Sequence, residues 1–88
     1  MKTFVVERDV SGISAADLHM LATRTQREVL RMREEGDLVH YLGSTFLAAE
    51  GRCLCLFKAK NEAVLTELSL QANLPLDRIL AAVQVGAG

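Results

Sequence analysis

The sequence predicts an α+β fold: a four-stranded antiparallel sheet with two helices packed on one of its faces. Three observations carry that expectation. Runs of β-forming residues and runs with helical spacing follow in the order strand, helix, strand, strand, helix, strand. Cap and turn residues punctuate each change of period. The chain is 88 residues long and half apolar, which suffices for one small core.

Each element has its own cause. Residues 3–8, around Phe4, Val5 and Val6, form a short strand. A loop with Ser11 and Gly12 follows, and Ser14 is placed to cap a helix whose positive end meets Asp17. Over 15–35, Leu18, Leu21, Ala22, Val29 and Met32 fall on one stripe with Thr25 between them, an amphipathic helix. Arg24, Arg27 and Arg31 fall on its outer side, with Arg24 in register to pair with Glu28. Gly36 is the expected stop, because glycine takes the left-handed turn freely. Residues 38–48 read as a strand through Val39, Tyr41, Thr45 and Phe46, with Gly43 marking a bulge or bend. Glu50 and Gly51 turn the chain into a strand at 52–59, completing a hairpin. Asn61 caps a helix over 62–72 with Val64, Leu65, Leu68 and Ala72 inward; Asn73 suits its end and Pro75 prevents continuation. Residues 79–85 are expected as the last strand, and 86–88 as a frayed tail.

This order is the split βαβ, ferredoxin-like plan, βαββαβ, in one domain over 1–85. Right-handed crossovers set both helices on one face and put the first and third strands in the centre. Strand side chains alternate between faces. Phe4, Val6, Cys53, Cys55 and Phe57 are assigned to the helix side. Val5, Leu54 and Leu56 then line the other face, with Glu7 and Lys58 near one end. A sheet face left to water should alternate apolar with polar, and these central strands do not. Exposure would forfeit about 1.5–3 kcal/mol for each side chain that could be fully buried. An identical partner packed on that face is the simplest remedy, and the gap between the two sheets is where a small ligand fits.

Composition bounds the partners. Ten basic and eleven acidic residues give a net charge of −1, against a dedicated nucleic-acid or anionic-membrane binder. No apolar run approaches about 18 residues, and Glu7, Arg8 and Asp9 interrupt the N-terminal apolar run too early for a signal peptide. A cytoplasmic protein is expected. Phosphate-loop and dinucleotide fingerprints are absent from the sequence, as is an aromatic platform for bases.

The candidate ligand-binding residues are Glu7, Arg8, His40, Tyr41, Thr45 and Lys58, which end strands or offer hydroxyl, imidazole and charged groups around the gap. His40 is a potential ligand or proton carrier at its rim, and Glu7 a carboxylate either ion-paired to Lys58 or Arg78 or poised at a pocket with a raised pKa. These two are the candidate metal ligands. His19 reads as a surface residue of the first helix, and Leu70 as an exposed residue or a subunit contact. Cys53 and Cys55 share a face, with Cα atoms about 6.5–7 Å apart, at or beyond the usual disulfide reach. They read as reduced thiols packed under the helices; a redox or soft-metal role is the alternative, although a thiolate site ordinarily takes more than two ligands. Spacing alone identifies no base–nucleophile arrangement, so no catalytic residue is assigned.

Four segments together resemble a family of small bacterial proteins long filed as a domain of unknown function, one characterised type of which binds nickel. They are Phe-Val-Val-Glu-Arg at 4–8, Tyr-Leu-Gly-Ser-Thr-Phe at 41–46, Cys-Leu-Cys-Leu-Phe at 53–57 and Leu-Pro-Leu-Asp-Arg-Ile at 74–79. The resemblance implies a ferredoxin-like fold of the dimeric α/β-barrel kind and a homodimer that binds a divalent transition metal such as nickel. Lys58 stands where an acidic residue is common in the family and Lys60 where proline is common, so an acidic metal-binding role at 58 does not carry over. Two rival readings stay open: a cofactor-independent enzyme of the dimeric α/β-barrel type, monooxygenase- or isomerase-like, and a protein-interaction module.

Overall fold

A computed structural model describes residues 1–86. Six elements follow in the expected order: β1 (Lys2–Asp9), α1 (Ala15–Glu34), β2 (Val39–Leu47), β3 (Arg52–Ala59), α2 (Glu62–Gln71) and β4 (Arg78–Ala82). The strands form one antiparallel sheet in the order β2-β3-β1-β4, with both helices on one face. No helix of the described residues is long and apolar enough to cross a membrane.

Local chemistry sets the helix ends. The Ser14 hydroxyl accepts from the Asp17 N–H at 3.1 Å, and the Asn61 side-chain oxygen accepts from the Val64 N–H at 3.1 Å. α1 stops where Gly36 turns left-handed at φ +98°; the Asp37 N–H then reaches back to the Met32 carbonyl at 3.0 Å. α2 ends in the same motif with Asn73 at φ +54°, and the Leu74 N–H returns to the Ser69 carbonyl at 2.9 Å. Arg24 finishes that end. It donates to the carbonyls of Ala72 and Asn73, so α1 supplies the cation that the C-terminus of α2 lacks. The expected Arg24–Glu28 pair does not form for this reason; Glu28 pairs instead with Arg31, which also meets Glu35.

The bulge falls at Leu42. Tyr41 pairs with Phe57 and Gly43 with Leu56, and Gly43 takes φ +122° to absorb the extra residue. β4 is shorter than the 79–85 expected from sequence. It pairs only with Thr3–Glu7 of β1, and the run of β1 beyond Thr3 is too short to hold Val83 to Val85; Val83 and Val85 are exposed. The tail expected over 86–88 lies, for residues 87 and 88, outside the described residues.

The core sits between sheet and helices. Phe4, Val6, Cys53, Cys55, Phe57 and Ala59 of the central strands meet Leu21, Val29 and Met32 of α1 and Leu65 and Leu68 of α2. Leu68 is fully buried, whereas Leu70 is 75% exposed. Denaturant unfolding should therefore show Leu68→Ala losing about 2–5 kcal/mol and Leu70→Ala staying within about 0.5 kcal/mol of the parent. Similar losses for both would contradict this packing.

Candidate functional site

Antiparallel register decides which candidate residues meet. Thr3, Lys58 and His40 lie side by side across β1, β3 and β2 at one end of the open face. Glu7, Leu54 and Thr45 lie side by side at the other end, with Arg78 beyond Glu7 on β4. The sequence reading put Glu7 and Lys58 near one end; the strands run in opposite directions, so they lie at opposite ends. Four residues along and two strands across separate Glu7 from His40 by about 16 Å. One metal ion cannot bind both within a single chain.

Between these ends the open face is apolar. Val5, Leu54 and Leu56 are half-buried, while Leu42 and Leu80 are exposed. Val5, Leu42, Thr45, Leu54 and Leu56 line an open hollow of about 340 Å³. Ser44 and Thr45 supply the polar groups of its lining, and Lys58 and His40 stand outside it.

Glu7 is held in an ion network. Its carboxylate accepts from Arg78 and, at 3.1 Å, from Arg52, which also donates to Asp77 at 3.0 Å. The Arg78 hydrogen bond, opposed in part by desolvation, holds the Glu7 carboxyl below the usual glutamate value of 4.5. A raised pKa, the alternative expected from burial, is not found, because two guanidinium groups outweigh the loss of water.

Arg8 and Tyr41 point to the helix side, away from this face. Arg8 is fully buried; its Nη1 donates to the Ser69 hydroxyl at 3.0 Å and to the Pro75 carbonyl at 2.7 Å, tying β1 to α2 and the loop after it. Tyr41 packs on Phe57 with ring centroids 5.3 Å apart, and its hydroxyl meets that of Ser44. Burial pushes the Tyr41 phenol up. The Ser44 hydroxyl donates to the Cys55 sulfur at 3.1 Å, and the Cys53 sulfur lies 3.9 Å from that of Cys55. Both cysteines are free, and burial with the adjacent Cys55 pushes the Cys53 thiol up to about 11. A second cleft, about 210 Å³, opens between α1 and the hairpin; Leu18, His19, Ala22, Ser44, Phe46 and Cys53 line it. The sequence reading missed this cleft, because only the packing of α1 against β2 creates it. Among the described residues, no group of three or more His, Cys, Asp or Glu could hold a metal ion.

Fold and site together define a ferredoxin-like α+β domain with one covered sheet face and one apolar face left open. A family model described as nickel responsive protein SCO4226-like matches residues 4–81, and the chain belongs to that family. The crystal structure of SCO4226 from Streptomyces coelicolor A3(2) superimposes with a TM-score of 0.73 at 20% identity, covering 96% of this chain and 99% of that one. It shares the fold. No curated protein matches the chain.

A depressed carboxyl pKa stabilises the fold fully above the ordinary value, and that contribution fades as pH falls below 4.5 through the folded value. Urea midpoints of the parent and Glu7→Gln should differ at neutral pH and converge on acidification below 4.5. A gap that persists unchanged into acid would contradict the ion network.

Proposed function

We propose that the chain acts as a homodimeric, cytoplasmic nickel-binding protein, two copies packing their open sheet faces together and His40 supplying an imidazole to the metal. The observation that carries the reading is the apolar face around Val5, Leu54, Leu56 and Leu80, which both helices leave uncovered. Burying it against its own copy removes those side chains from water and closes the hollow into a chamber. Membership of the nickel responsive family supports the choice of metal.

His40 suits nickel because a neutral imidazole is a good donor to this borderline ion. A single chain offers too few donors for a nickel cage, so the second copy and water complete the coordination. Glu7 is a poor ligand, since Arg78 and Arg52 already hold its carboxylate. Its role is to fix the end of the face, with Asp77 and the two arginines. Thr45 flanks the hollow, and Lys58 sits beside His40 as a cation that favours anionic co-ligands over a second metal. Arg8 and Tyr41 belong to the core. Free buried thiols fit a reducing compartment.

Titration calorimetry with nickel tests the reading. Heat should appear with the parent, fall by about 10-fold or more in affinity with His40→Ala, and persist within a few-fold with Glu7→Gln. No heat with the parent, or full affinity in His40→Ala, would overturn it.

A further inference from the structure

The helix side of the hairpin holds two sulfurs that the nickel reading does not use. Cys53 and Cys55 are free and fully buried, with their sulfurs 3.9 Å apart. A near-linear two-coordinate ion with metal–sulfur bonds of about 2.3 Å sets its sulfurs about 4.6 Å apart, so side-chain rotation that widens the 3.9 Å gap by about 0.7 Å seats one ion between them. Ser44, paired with Cys55 across the hairpin, already donates a hydrogen bond to its sulfur, and the Tyr41 hydroxyl braces Ser44 from behind. The cleft between α1 and the hairpin ends on Cys53 and gives an ion a path inward past His19.

A second, independent feature lies on the neighbouring strand of the same face. β1 sets Arg8 directly opposite Cys53 on the same face. Arg8 is fully buried, and no carboxylate among the described residues pairs with it. Its Nε and Nη2 find no hydrogen-bond partner there. A buried guanidinium without an anion is unfavourable, and it would be relieved by negative charge arriving on the sulfurs.

We infer that Cys53 and Cys55 form a two-coordinate thiolate site for a soft monovalent cation of the Cu(I) type, with Arg8 as counter-charge and Ser44 as hydrogen-bond donor to the bound sulfur. On binding, two S–H bonds break, two metal–sulfur bonds form and two protons leave to water; no electron is transferred. The product, a metal bis-thiolate, carries one negative charge, which the guanidinium balances. Two sulfurs are too few for nickel or zinc, which need further donors that the described residues do not group together. They suffice for a soft ion that is stable with two thiolates. This site uses the opposite face of the sheet from His40 and stands apart from the nickel reading.

The test is an anaerobic titration of the reduced full chain with Cu(I), buffered by the competing chelator bicinchoninate. One Cu(I) per chain should bind, with an ultraviolet thiolate-to-copper charge-transfer band. X-ray absorption on the unaltered loaded protein should show two sulfur neighbours. Ser44→Ala should weaken binding by about 10- to 100-fold, and Cys53→Ser should abolish the band while nickel heat is retained. No band, nitrogen or oxygen neighbours in place of two sulfurs, or a folded Cys53→Ser protein that keeps the band would overturn the site. If Cys53→Ser does not fold, the sulfur count in the unaltered protein decides.

Discussion

One constraint organises the molecule: a single four-stranded sheet has two faces, and its two helices shield only one. β1 and β3 carry apolar side chains on both sides. Phe4, Val6, Cys53, Cys55 and Phe57 find α1 and α2, while Val5, Leu54 and Leu56 find none. In a small domain, whose burial is modest to begin with, that imbalance is a large fraction of the available stability. Each candidate residue then belongs to one face or the other. His40, Lys58 and the Glu7 network belong to the open side, and Arg8, Tyr41 and the two thiols to the covered one.

The two faces offer different chemistries. The open face presents one imidazole, separated by an apolar field from a carboxylate that two arginines already hold. A metal there needs a second protein surface. The covered face presents two sulfurs, a hydroxyl aimed at one of them and a guanidinium without an anion, all inside one chain. A site on that face is independent of assembly, and this separates the two readings physically as well as spatially.

Much of the fold was legible in the sequence because local signals and global pattern agree. Ser14, Gly36, Asn61 and Asn73 punctuate the helices as their chemistry dictates, Gly43 marks the bulge, and period-two alternation sorts Phe4 and Val6 from Val5. What was not legible depends on partners distant in sequence. Arg24 abandons its i,i+4 neighbour for carbonyls 48 and 49 residues away. Glu7 and Lys58 are separated by strand direction, and the Glu7 pKa is set by Arg78, 71 residues on. The burial of Arg8 without a carboxylate has no local signature at all; alternation gives its face but not its surroundings. β4 ends early because its partner strand does, a limit invisible in the β-forming run of 79–85 itself.

The proposed function turns on a second copy of the chain covering the face that the helices leave open. Sedimentation equilibrium of the unaltered protein, from micromolar to millimolar concentration and without metal, tests it most directly. Twice the chain mass is expected across that range, reverting to the single-chain mass when Leu56→Lys places a charge in the centre of the face. A parent that stays at single-chain mass at every concentration, or a variant that remains paired, would contradict it.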